Sequence, residues 1–207
     1  MTNEQHNQAR TLDDAEAHMS LGNAFINQGK YEDAATQYEK AIMLKPDYAD
    51  AYNSLANILK RTGRLDAAVA KYTHAIALKP DYAAAYSNLG SALREQGKFD
   101  DAIIRYEQAI ALKPGSAQIH FNLGIVLMDH NKPESAIDHF RRCLELDPLD
   151  HYGARLLLAK LGCEVLPARA SEAHLQQLYN KRAHVWDRNI DAFHPYKGHE
   201  LVTEALS

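Results

Sequence analysis

Apolar and small residues return along this chain at a fixed interval of 34 residues. Four full periods cover 15–48, 49–82, 83–116 and 117–150, and a fifth opens at 151–162. Counted within a period, position 7 is Leu21, Leu55, Leu89 and Leu123, and position 8 is Gly22, Ala56, Gly90 and Gly124. Position 11 is Phe25, Leu59, Leu93 and Leu127. Spacings of three and four place these residues on one face of an α-helix. A second stripe follows in each period. Position 20 is Ala34, Ala68, Ala102 and Ala136, position 24 is Tyr38, Tyr72, Tyr106 and Phe140, and position 27 is Ala41, Ala75, Ala109 and Cys143. The small residues let two helices approach closely, and the ring at position 24 fills the groove between them.

Punctuation separates the two stripes. Position 15 is Gly29, Gly63, Gly97 and Asn131, the two residue types that best tolerate the left-handed backbone beyond a helix end. Position 32 is Pro46, Pro80, Pro114 and Pro148, which lack the N–H that would continue a helix. Each period therefore predicts helix, tight turn, helix, stop. A repeat of this length marks an array whose units bury their apolar faces only against one another.

The stretch KPDYADAYNSLA at 45–56 and its copy KPDYAAAYSNLG at 79–90, with the punctuation around them, resemble the tetratricopeptide repeat family. The resemblance implies an all-α fold, a right-handed α-solenoid of helix–turn–helix repeats with a helical C-terminal extension. It divides the chain into a polar, unstructured lead-in at 1–14, four repeats with the boundaries above, a partial fifth repeat or capping helix at 151–162, and the extension at 163–207. In the family, the first helices line a concave groove through positions 2, 5, 6, 9, 12 and 13. Here those positions include Met19, Asn53, Ser87 and Phe121, then Ser20, Ser54, Asn88 and Asn122, then Asn23, Asn57, Ser91 and Ile125. An asparagine amide offers both a donor and an acceptor, so such a series suits the backbone of an extended chain. Asn88 and Asn122, in NLG contexts, are similar to the asparagine ladder of the O-linked N-acetylglucosamine transferase repeats; Ser20 and Ser54 replace it in the first two periods. Expected peptide-binding residues are Asn23, Asn53, Ser54, Asn57, Asn88 and Asn122, with apolar contacts from Met19 and Phe121. Lys60, Arg61 and Arg94 are expected to bring positive charge to the groove edge, although basic residues also suit a last helical turn without any ligand. The carboxylate clamp of chaperone-binding repeats is not matched, because Met19, Ala84 and Asn88 stand where its basic residues belong.

Composition narrows the function. The chain is 46% hydrophobic and 24% charged, with a formal net charge of −4. No stretch approaches the roughly 18 apolar residues of a membrane span. The opening MTNEQHNQAR lacks an apolar signal region, so a cytoplasmic location is expected. With no dense run of Lys or Arg, nucleic acid is not the expected partner. The two cysteines, Cys143 and Cys163, have no metal-site spacing, and Cys143 occupies a core position. GNAFINQGK and GSALREQGK end in Gly-Lys, but Tyr31 and Phe99 follow where a phosphate loop needs Ser or Thr. His120, His130 and His139 share the fourth period on two different helices without a ligand motif. No catalytic residue, metal or cofactor is expected. The expected role is a non-catalytic scaffold for a protein or peptide partner, with self-association through the solenoid ends as a further mode.

Beyond Gly162 the period is lost. Ser171 suits a helix cap, and Leu175, Leu178, Arg182, Val185, Trp186 and Ile190 keep a helical face that Pro195 interrupts. The run at 175–206 resembles the segment that leads from such repeats into a methyltransferase domain in bacterial fusion proteins. The alternative expectation is therefore the substrate-recruiting region of an S-adenosylmethionine-dependent methyltransferase without its catalytic domain, since no Gly-rich cofactor loop follows before Ser207.

Overall fold

Between Tyr31 and Leu146, helices begin and end where the periodic punctuation places them. The structure, a computed structural model, describes residues 3–163 of the 207, with side chains from Asp13 onward. Among the described residues all regular structure is helical, and the chain divides into two units between Gly97 and Lys98.

The first unit holds α1 (Asn3–Asn27), α2 (Tyr31–Leu44), α3 (Ala49–Arg61), α4 (Leu65–Leu78) and α5 (Ala83–Glu95). Consecutive helices pack against each other, and α3 also touches α5, so the first helices of neighbouring repeats lie side by side. Gly63 takes φ 75°, which lets its N–H reach the Lys60 carbonyl at 3.0 Å and the Arg64 N–H reach that of Leu59 at 2.8 Å. The carbonyls at the end of α3 are thereby satisfied without water. Second helices stop differently: Lys45 and Lys79 close the last turn on Ala41 and Ala75, and the prolines that follow have no N–H to add. Ala34, Tyr38, Ala41, Ala68, Tyr72 and Ala75 are all at most 2% exposed. The small residue at position 8 is required by that ring. A Cβ on Gly22 would lie 2.5 Å from Tyr38 Cε1.

Two features depart from the periodic expectation. Residues 3–14, expected as an unstructured lead-in, are helical from Asn3 and form the first part of α1. That segment holds no Gly or Pro and several strong helix formers, so nothing local stops the helix. Leu21 is 44% exposed, whereas Leu55, in the same position on α3, is 3% exposed. The difference follows from cover: α3 packs against both α2 and α4, whereas among the described residues α1 packs chiefly against α2.

The second unit holds α6 (Phe99–Leu112), α7 (Ala117–Asp129), α8 (Pro133–Leu146) and α9 (Ala154–Lys160). Asn131 takes the left-handed conformation at φ 57°, and Pro133 starts α8 where a missing N–H costs nothing. Gly124 repeats the close approach, since a Cβ there would sit 2.5 Å from Phe140 Cε1. The fifth period starts its helix three residues late. Asp150 and Gly153 both have positive φ, and the buried Asp150 carboxylate accepts the Ala154 N–H at 2.6 Å. Leu156, Leu157 and Leu158 of α9 are buried, and α9 packs on α8.

Candidate peptide-binding face

In the first unit, α1, α3 and α5 carry the residues at positions 5, 6, 9, 12 and 13. Their polar groups form a connected network. Asn88 Nδ2 on α5 donates to Asn53 Oδ1 at 3.2 Å and to Asn57 Oδ1 at 3.1 Å, both on α3. Asn57 Oδ1 also accepts from the Tyr72 hydroxyl at 2.6 Å. One repeat earlier, Tyr38 donates to Asn23 Oδ1 at 2.7 Å, and Ser54 bonds the same phenol. Burial raises the Tyr38 pKa above the usual tyrosine range, and the Ser54 bond offsets only part of that. Tyr82 is pushed further up, by burial and then by its bond to Asp50. These phenols remain protonated donors throughout the physiological range.

The network fixes what each amide can offer. Asn57 accepts through Oδ1, which leaves its Nδ2 to donate. Asn88 spends its Nδ2 on α3, which leaves its Oδ1 to accept. Asn53 is 7% exposed, Ser54, Asn57 and Asn88 are half-buried, and Asn23 is exposed. Met19 is half-buried on α1.

The expected cations are placed differently from one another. Lys60 is not an exposed edge charge: it is 3% exposed, with Nζ 3.0 Å from Ser91 Oγ and 4.0 Å from the Glu95 carboxylate. Its stem reaches across to the next first helix and is covered there. Arg61 is exposed and lies 3.8 Å from the centroid of the Tyr31 ring, while Arg94 is half-buried. In the second unit, α7 carries Asn122, half-buried, and Phe121, which is 3% exposed between Phe140 and Tyr152, each with ring centroids 5.8 Å away. Phe121 is thus an internal packing residue in place of the expected apolar contact at the surface.

Sequence reasoning missed the tie between position 9 and position 24. The signal was present. Position 24 loses its hydroxyl only at Phe140, in the one period whose position 9 is the apolar Ile125. Among the described residues no cluster of three or more His, Cys, Asp or Glu has metal-site geometry, and no helix is long and apolar enough to cross a membrane. The run at 175–206 that resembles a methyltransferase lead-in, like the rest of the extension from 164 onward, lies outside the described residues.

Helix pairs joined by tight turns, stacked through small residues and aromatic rings, define an all-α solenoid of helical repeats. Family models described as "TPR repeat" and "Tetratricopeptide repeat" match residues 22–131 in three overlapping segments and residues 117–149. These matches span more than half of the sequence, and the chain belongs to the tetratricopeptide repeat family. No curated protein matches it. Among solved structures, a crystal structure of MamA is 29% identical with a TM-score of 0.61, covering 65% of this chain and 79% of that one. The first TPR of Spaghetti (RPAP3), bound to the HSP90 peptide SRMEEVD, is 25% identical with a TM-score of 0.57, over 58% of this chain and 95% of that one. PilF of Pseudomonas aeruginosa, at 22% identity and a TM-score of 0.68, covers 97% of this chain and 100% of its own, and shares the fold.

Proposed function

We propose that this chain is a protein-interaction scaffold that holds an extended peptide segment along its first helices. The observation that carries the reading is the amide pair on α3 and α5. Asn57 Nδ2 and Asn88 Oδ1 stand on neighbouring helices with their other polar atoms already bonded, one able to donate and one able to accept. A peptide main chain presents the complementary pair, C=O and N–H, at every residue. The likeness to a repeat structure that holds a short peptide supports the same use of the fold. The cytoplasm suits such a role.

The test uses a display library of short unstructured peptides, with affinities of enriched sequences measured by fluorescence anisotropy. Asn88→Ala removes the acceptor of this pair. At about 1 kcal/mol for the lost hydrogen bond, affinity falls roughly 5-fold while helicity by circular dichroism is kept. An empty library, or equal affinity in wild type and variant, overturns the reading.

A further inference from the structure

Positions 4 and 23 face each other across the two helices of a repeat, and each pair is filled differently. In the first repeat His18 Nδ1 meets Gln37 Oε1 at 2.7 Å. In the second, Lys71 Nζ lies 5.4 Å from the centroid of the Tyr52 ring. In the fourth, both members are imidazoles: His120 Nδ1 and His139 Nδ1 are 3.2 Å apart, with the rings stacked at 27°. His120 is 7% exposed and His139 is half-buried.

The hydrogen-bond partners assign the protons. The Pro114 carbonyl, 3.3 Å from His120 Nε2, can only accept. His120 therefore carries its proton on Nε2 and turns the Nδ1 lone pair toward α8. His139 must then supply the Nδ1–H that bridges the helices, which leaves its own Nε2 as the open basic site. A first added proton goes to that Nε2 and keeps the bridge. A second has only His120 Nδ1 to occupy, and there two N–H groups would face each other across 3.2 Å.

We propose that the His120–His139 pair is a pH-operated latch of the fourth repeat, closed while one ring is neutral and open when both are protonated. The surrounding charges act on the two rings in opposite senses. On α8, Arg142 opposes a positive His120, while Asp138 favours a positive His139. On α6, Asp100 is engaged by His130 and Lys132, and Arg105 bonds Gln108 on its own helix. Burial, the largest influence, holds both rings below the ordinary value of 6.5. Arg142 adds to this at His120 and His120 adds to it at His139, while the Pro114 bond and Asp138 only partly oppose it. An unfolded histidine then binds protons that the folded pair refuses. The latch contributes its full stability above pH 6.5 and loses it as the pH falls below that value.

The experiment is hydrogen exchange on the full chain, expressed as protection factors, at about pH 7.5 and about pH 5. Protection in α7 and α8 is expected to fall about tenfold or more on acidification relative to α3 and α4. His139→Gln recreates the His18–Gln37 pair, in which a protonated imidazole still donates, and should abolish the acid loss. His120→Tyr installs the residue found at Tyr52 and Tyr86 and should do the same. Equal protection at both pH values in wild type, or an acid loss retained in both variants, overturns the proposal. Imidazole ¹⁵N shifts in unmodified protein give a reading that needs no variant. Near neutrality they must show His120 protonated on Nε2 and His139 on Nδ1, and any other pattern refutes the latch.

Discussion

Removing the Tyr38 hydroxyl separates what the position-9 asparagines do for the fold from what they do for the face. The ring is 2% exposed and its hydroxyl donates to Asn23 Oδ1 at 2.7 Å. Tyr38→Phe leaves the ring against Gly22 and opens no cavity, and the fully buried Phe140 shows that this slot accepts phenylalanine. The loss is then one hydrogen bond, about 1 kcal/mol, which for a chain of this size lowers Tm by about 2–4 °C. Asn23→Ala removes the same bond from the other side. The phenol still has Ser54, so this cost is expected near the lower end of the usual range, about 0.5–1 kcal/mol. Because both changes delete one interaction, the double variant should be less destabilised than the sum, with a coupling of about 0.5–1 kcal/mol. Urea unfolding followed by circular dichroism supplies the free energies. Hydrogen exchange in α1 and α2 checks that the loss is local, as neighbour-only contacts in a repeat array require. Strictly additive effects would refute the tie between positions 9 and 24. Asn23 would then be a surface residue whose substitution reports on ligand alone.

Gly124→Val must place its Cβ 2.5 Å from Cε1 of the fully buried Phe140 ring, and overpacking should cost about 1–3 kcal/mol. Thermal melting checks this against Gly115→Ala, where nothing lies within 4 Å and no loss of that size is expected. Burial, and after it the charges of Asp150 and Asp147, push the Cys143 thiol up to about 12. A disulfide reagent at about pH 8 should therefore label the half-exposed Cys163 first and reach Cys143 only on unfolding, a difference read by mass spectrometry. Equal labelling rates would contradict the closed packing around α8. Lys60→Met keeps the buried stem but deletes its bond to Ser91 and its pairing with Glu95, and stability in urea should fall by about 1–3 kcal/mol. Lys60→Ala removes the stem as well and should cost about 2 kcal/mol or more by the same measurement.

The array was legible because its determinants are local. Gly63 and Pro80 stop helices through their own backbones, and Ala68 and Tyr72 are spaced to share a face with no knowledge of their neighbours. The polar face was legible only as a face. Lys60 and Phe121 occupy positions that point inward, yet each is 3% exposed, because side chains of adjoining elements close over them. For Lys60 that cover includes Ser91 and Glu95, more than thirty residues away, which no count within one period reveals. The late start of α9 was likewise hidden. Its cause is a left-handed pair, Asp150 and Gly153, whose aspartate would pass in sequence for a surface turn residue but is buried as a cap. Residues 3–14 read as a lead-in because they lack an apolar stripe, and a helix needs only the absence of a breaker to run on from a packed turn.

The same atoms that make the first unit a candidate docking surface also join its repeats. Apolar packing between consecutive helices is tolerant of small shifts, since alanine and leucine surfaces slide with little directional preference. Hydrogen bonds have direction. Asn88 to Asn53 and Asn57, and Lys60 to Ser91, run from one first helix to the next and set the register of α5 against α3. An asparagine used this way cannot turn its amide freely, because reversing Asn88 would place its oxygen against two acceptor oxygens. The polarity shown to a ligand is thus fixed before any ligand arrives. On the proposed function, a partner would meet one donor at Asn57 and one acceptor at Asn88 in a set order, with both amides arranged in advance. A position that serves register and recognition together tolerates fewer replacements than either role alone would demand. Serine at the equivalent Ser54 keeps a bond to Tyr38 with a shorter reach, and so preserves the joint while offering less to a chain lying across it.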